Sequence, residues 1–158
     1  MLPKITGTLI VACTLAWTNG AQAGKGFRGL TNTNLFQVDD DAAHPIPLTN
    51  SGATSKTIPI EGTTLLVAYN AECMAQGPDG SYVSITILID GVPAAPDTGS
   101  GSAFCSAGGA DTHTYTMVVR NGVAQNVVGG KHPFQMIGTG VSTTSWQLRN
   151  MMLSVIGF

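Results

Sequence analysis

Three groups of side chains in this chain have types and spacings that chemistry uses. The first is His44, His113 and His132 together with a plentiful supply of serines. A hydrolase built from them needs a nucleophile, a base and an orienting acid. No G-x-S-x-G elbow is present, and Ser100 and Ser102 sit in a Gly-rich stretch where serine is ordinary linker composition. A triad would therefore have to assemble across loops. The second group is Cys105, His113 and Met117, with His44 upstream. This order resembles the soft-ligand copper sites of β-sandwich proteins, and a period of two puts His113 and Met117 on one face of a strand. The gap from Cys105 to His113 is long for such a motif, and a cysteine in a disulfide is no thiolate ligand. The alternative metal set is thus His44, His113 and Met117. The simpler reading makes His113 and Met117 core-edge residues beside Tyr115. The third group, Asp39-Asp40-Asp41, has the oxygen chemistry for calcium but lacks the spaced acids and glycine of an EF-hand loop. A solvated turn accounts for it. Glu72 and Asp90 are single carboxylates on polar strand faces, with no partner acid of the kind a glycosidase requires. No catalytic residue, and no cofactor, is expected.

Recognition by surface is the remaining chemistry. Tyr82 precedes Ser84 and Thr86 on the polar side of an alternating segment. An aromatic ring among hydroxyls suits sugar stacking or protein contact; the competing reading is a ring that covers a sheet edge or a subunit interface. Trp146 reads as core.

The elements that must hold these residues are strands. Leu65, Val67, Tyr69, Ala71 and Cys73 alternate with Leu66, Ala68, Asn70 and Glu72, and Val83, Ile85, Ile87 and Ile89 alternate with Ser84, Thr86 and Asp90. This is the pattern of half-buried strands. With Gly77-Pro78-Asp79-Gly80 as turn residues between them, the two segments are expected to pair as a β-hairpin. Asp90-Gly91 and Asn121-Gly122 are both expected to be tight hairpin turns. Shorter strands are expected at Leu35–Val38, at the proline-rich His44–Leu48 (an edge, because proline cannot donate to a ladder), and at Thr57–Glu61. Further strands are expected at Thr112–Arg120, Ala124–Val128 and Pro133–Ile137. Trp146 and Leu148 are out of phase with Met151, Leu153 and Val155, and a bulge near Arg149-Asn150 would reconcile them. Eight to ten short strands with turn signals and no helical spacing predict an all-β antiparallel sandwich, jelly-roll-like.

The ends and the composition bound the setting. Lys4, the apolar run Ile5–Trp17 and Ala21-Gln22-Ala23 read as a signal peptide over residues 1–23, cleaved after Ala23. The apolar run is too short to span a membrane. Ile10-Val11-Ala12-Cys13 resembles a lipobox, but apolar residues continue past Cys13. Residues 24–34, rich in Gly, Thr and Asn, are expected to be a loose N-terminal arm, and residues 35–158 one domain. Beyond the leader only Cys73 and Cys105 remain; an even count in an exported chain reads as a disulfide. The expected location is secreted or periplasmic. Seven Lys and Arg, one of them in the leader, stand against nine Asp and Glu. No basic face for nucleic acid can be drawn from that balance.

From Thr63 onward the pattern resembles small secreted jelly-roll domains related to the complement-globular-head and tumour-necrosis-factor-like superfamily. The residues that carry the resemblance are the Leu65-to-Cys73 strand, Ile85-Thr86-Ile87-Leu88-Ile89-Asp90-Gly91-Val92, Trp146 and the terminal Leu153-Ser154-Val155-Ile156. Roughly the last hundred residues are covered, by strand patterns rather than by chemistry. The cysteine pair and the long Gly/Ser loop depart from the better-known members. The resemblance implies a non-catalytic binding or packing module, often a trimer, with a protein or carbohydrate ligand. It implies no catalytic residue.

Overall fold

Two opposed apolar faces need a common interior, and the chain supplies it by stacking two sheets. The computed structural model describes residues 26–96, 102–108 and 114–158; the leader, Cys13, Ser100 and His113 lie outside the described residues. Eleven strands are present among these: β1 (Phe27–Asn32), β2 (Phe36–Val38), β3 (Ala43–Pro45), β4 (Ser55–Ile60), β5 (Thr64–Gln76), β6 (Tyr82–Ile89), β7 (Val92–Pro93), β8 (Cys105–Ser106), β9 (Thr116–Gln125), β10 (Gly130–Val141) and β11 (Ser145–Gly157). One sheet runs β1-β11-β5-β9, with β2 also on β11. The other runs β3-β10-β6-β7, with β4 also on β10 and β8 also on β6. Every pairing is antiparallel. The molecule is an all-β sandwich of jelly-roll type, as the alternation predicts.

The expected hairpin of β5 and β6 does not form. β5 pairs with β11 and β9, whereas β6 pairs with β10, β7 and β8. Gly77–Ser81 carries the chain from one sheet to the other, closed by the Ser81 amide donating to the Pro78 carbonyl at 3.1 Å. The reason is burial. Leu65, Val67 and Tyr69 on β5 and Val83, Ile85 and Ile87 on β6 are almost fully buried, and they meet across the interior rather than side by side. At Gly77 an added Cβ would fall 2.8 Å from the Ser142 carbonyl oxygen, so the crossing admits only glycine.

The two dipeptide turn signals part company. Asp90-Gly91 is a tight turn: both residues have positive φ, 55° and 78°, the pattern of a type I′ hairpin, and Ile89 pairs with Val92 across it. Asn121-Gly122 is no turn. Both residues lie inside β9, where Ala68 pairs with Asn121 and Val67 with Gly122. A Cβ on Gly122 would sit 2.9 Å from the Ala94 Cβ and 3.3 Å from Ile87 Cδ1. Glycine there permits close approach of the two sheets, the other meaning of glycine in a strand.

β11 changes register between Arg149 and Met152, with Asn150 at φ 50°. The expected bulge therefore exists, and it buries Trp146 and Leu148 on one side of it and Met151, Leu153 and Val155 on the other. Much of the stretch expected to be a loose arm is ordered. Phe27 to Asn32 form an edge strand on β11, and Asn32, buried, donates from Nδ2 to the Pro47 carbonyl at 2.9 Å. The Cys73–Cys105 disulfide is formed and ties β5 to β8, so it joins the two sheets. A second tie is the bridge between Ala95 and Val123, whose amides and carbonyls exchange hydrogen bonds at 2.8 and 2.6 Å. It closes the β7–β9 side of the sandwich.

Candidate functional site

The two described histidines, His44 and His132, are committed to structure. On β10, the His132 ring nitrogens each face an acceptor: Nδ1 an Asp90 carboxylate oxygen at 2.7 Å, Nε2 the Val128 carbonyl at 2.7 Å. Both ring nitrogens thus make contacts within the chain. On β3, His44 donates from Nε2 to Asp40 at 2.7 Å and lies edge-on to Trp146, ring centroids 6.4 Å apart. Asp40 also accepts from the Ala42 amide at 2.9 Å. The His44 hydrogen bond, then the Ala42 amide, holds the Asp40 carboxyl below the usual carboxylate range. Asp39 accepts from Gln37 Nε2 at 2.9 Å. These two carboxylates of the acidic run therefore serve the loop that carries them.

Of the alternative metal set, His44 and Met117 do not come together, and His113 lies outside the described residues. β3 and β7 are opposite edges of one sheet, and β9 lies against the β7 side through the Ala95–Val123 bridge. His44 on β3 and Met117 on β9 are thus on opposite sides of the sandwich. Cys105 is in the disulfide. Among the described residues no group of three or more His, Cys, Asp or Glu is arranged to hold an ion. Ser102 accepts from Arg120 at 3.2 Å.

Tyr82, Ser84 and Thr86 share the outer side of β6, as the alternation requires. Tyr82 and Thr86 are half-buried, but Ser84 between them is buried. Trp146 is wholly buried, with Phe36 edge-on at 5.5 Å.

The more distinctive surface is the outer face of the other sheet, and register builds it. Directly paired residues in antiparallel strands point the same way. Reading across β1, β11, β5 and β9 gives transverse rows. One row is Phe27, Ile156, Leu66 and Val123; the next is Gly29, Ser154, Ala68 and Asn121; the third is Thr31, Met152, Asn70 and Val119. Beyond the bulge come Arg149, Glu72 and Met117. Phe27 is 62 % exposed, Met117 60 %, Val119 52 %, Met152 40 % and Leu66 38 %. Phe158, paired with Thr64 one step beyond the Phe27 row, is 54 % exposed, so six of the nine exposed large apolar residues found among the described residues share one face. Thr31, Asn70, Met117 and Asn150–Met152 line a shallow, mainly apolar depression in it, of about 370 Å³.

A polar chain borders this face. Glu72 accepts from Arg149 Nε at 2.5 Å and from Asn150 Nδ2 at 3.1 Å. These bonds, Asn150 first, hold its carboxyl below the usual range. The Arg149 guanidinium lies 3.8 Å above the Tyr115 ring, a cation–π contact. Tyr115 donates to Gln147, and Gln147 donates to Gln37 at 3.0 Å. The face's charges are thus neutralised within the chain. Sequence reasoning misses this surface, because its apolar residues occupy single outward positions on separate strands.

Comparison with known proteins bears on the fold. No family model matches the chain, and no curated protein matches it. Solved structures do. A mutant VP2 protein of infectious bursal disease virus, in derived T=1 particles, is similar with a TM-score of 0.53 and 16% identity, over 84% of this chain and 32% of that one. The VP2 subviral particle of the same virus is similar with a TM-score of 0.50 and 15% identity, over 84% and 32%. The chain spans about a third of the length of these proteins. The likeness is one of β-sandwich fold, shared with viral capsid proteins. The complement and tumour-necrosis-factor-like superfamily is not among these findings.

Proposed function

We propose that this chain is a non-catalytic assembly module that works by associating with copies of itself, exported to the periplasm or beyond. The observation that carries the reading is the outer face of the β1-β11-β5-β9 sheet: exposed apolar side chains in register, with a border whose charges cancel. Apolar patches of this kind mark interaction sites on soluble proteins. His44 and His132 are committed to contacts within the fold, and no metal cluster is present among the described residues; neither supports a catalytic reading. The capsid proteins that share the fold are found in particles, which agrees with a sandwich used as a building unit. The Cys73–Cys105 disulfide and the leader-like first 23 residues support export, because disulfides persist in oxidising compartments. The resemblance to secreted jelly-roll trimers points to self-association as well. Sedimentation velocity and light scattering at micromolar concentration are expected to give a mass that is a multiple of the single chain. A strict monomer up to the highest soluble concentration refutes the reading.

A further inference from the structure

Resting on that reading, we infer that the partner of the β1-β11-β5-β9 face is the same face of a second copy, packed about a twofold axis that runs along the row Gly29, Ser154, Ala68 and Asn121. Three observations point to this occupant.

The first is size. The four strands, of 6, 13, 13 and 10 residues, lie about 4.8 Å apart and rise about 3.3 Å per residue, so the face covers roughly 650 Å². A standard interface takes about 600–1,000 Å² per partner. The apolar rows lie within that area and the Gln37–Gln147–Tyr115–Arg149–Glu72 chain lies at its margin, the layout of an apolar interface core with a polar rim.

The second is charge. The charged pair on the rows, Arg149 and Glu72, is joined within the chain. An axis along the Gly29 row sets Arg149 and Glu72 opposite the row of Phe158, Thr64 and Gln125 of the second copy, which lies one step beyond the Phe27 row. No like charges meet. An axis along the Arg149 row would set each Arg149 against its counterpart, at a cost.

The third is shape. The axis row holds three small side chains or none, Gly29, Ser154 and Ala68, so the two faces can approach closely there. Rotation about it brings the Phe27 row of one copy onto the Thr31 row of the other. Phe27, the most exposed large side chain on the face, then arrives beside the second copy's Thr31 and Met152, at the mouth of the depression that those residues line. Ile156 meets Met152, and Val123 meets Val119. The protrusion and the hollow lie on one surface at mirrored distances from the axis. This is the self-complementarity that an isologous interface demands.

The test combines mass and cross-linking, in chains whose Cys13 is replaced by serine. The expected mass is twice that of the chain. Phe27→Asp and Met152→Asp should each weaken association by about 30-fold or more, the loss typical of a central interface residue. Val92→Asp, at an equally exposed position on the other sheet, should leave association unchanged. Ser154→Cys sits on the axis, opposite its own counterpart, and should cross-link to a covalent dimer with a short bismaleimide; Thr139→Cys on β10 should not. Each variant is first shown to keep the strand circular dichroism and cooperative melting of the parent. A parent that is a monomer overturns both the assembly reading and this pairing. A trimer overturns the pairing alone, as does association that survives Phe27→Asp and Met152→Asp, or a Ser154→Cys chain that stays uncross-linked. A Ser154→Cys thiol shielded from maleimide in a monomeric chain would show that the chain's own N-terminal segment covers the face, and would overturn the pairing too.

Discussion

Breaking the Cys73–Cys105 bond is expected to lower stability by a large share of the whole. The cysteines are 32 positions apart in sequence, and the loop between them contains β6, β7 and the segment leading to β8. In the chain-entropy account, closing a loop of that length removes about 12.5 cal/mol/K from the unfolded ensemble, or about 3.7 kcal/mol at 25 °C. A domain of this size is stable by about 5–15 kcal/mol, so the loss is a quarter or more of the whole. At about 3–5 °C per kcal/mol, the melting midpoint should drop by roughly 10–20 °C. The assay is thermal unfolding followed by circular dichroism, on the oxidised chain, on the chain fully reduced as shown by thiol titration, and on the Cys73→Ala/Cys105→Ala double variant. Both sulfurs are buried, so the double variant also loses packing and should melt slightly below the reduced parent. A drop under about 3 °C on verified reduction would refute the reasoning. It would mean either that the unfolded chain is already constrained, or that the β5–β8 contact stores little of the fold's stability.

Three further perturbations test the interior and the border of the outer face. Gly138→Ala places a methyl 2.5 Å from Trp146 Cη2; urea unfolding should show a loss of about 1–3 kcal/mol from overpacking, whereas Gly129→Ala, whose nearest neighbour is 3.8 Å away, should have a much smaller effect. Among the described residues the buried Tyr69 hydroxyl has no hydrogen-bond partner, and burial pushes its ionisation well above the usual tyrosine value. Tyr69→Phe is therefore expected to be neutral or stabilising by up to about 2 kcal/mol, and a clear destabilisation in urea melts would disprove that picture of the core. The Glu72 carboxyl titrates lower in the folded chain than its ordinary value near 4.5, through Asn150 and Arg149. Its contribution is complete above that value and is lost as pH falls through the lower folded one. Melting midpoints recorded below about pH 4.5 should fall less steeply for Glu72→Gln than for the parent, and parallel curves would count against the contact.

The alternation in β5 and β6 carries their inward faces plainly, because a period of two is a property of the strand itself. It does not say which strands lie side by side. Leu65–Tyr69 and Val83–Ile87 are equally apolar whether they pair in one sheet or oppose each other across two, and only the whole chain's packing decides. The same limit explains Asn121-Gly122. Its dipeptide chemistry permits a turn, but the position is spent on letting Ala94 and Ile87 press against the backbone, a demand from residues about thirty positions away. The bulge at Arg149 was legible because both phases of one strand hold large apolar side chains. β1 was not: its Gly, Thr and Asn look like an arm, and they are ordered by β11, more than a hundred residues later. The outer face is illegible for a similar reason. Leu66, Met152 and Val119 become neighbours only through the registers of β5, β11 and β9.

β11 is made after every other strand described, yet it sits inside its sheet, with β1 and β2 on one side and β5 on the other. While the ribosome is still short of Ser145, those three have no common neighbour, and the layer they belong to has a gap at its centre. Vectorial folding from the first residue onward is therefore closed to this domain. Until the thirteen residues of β11 emerge, that sheet cannot be completed.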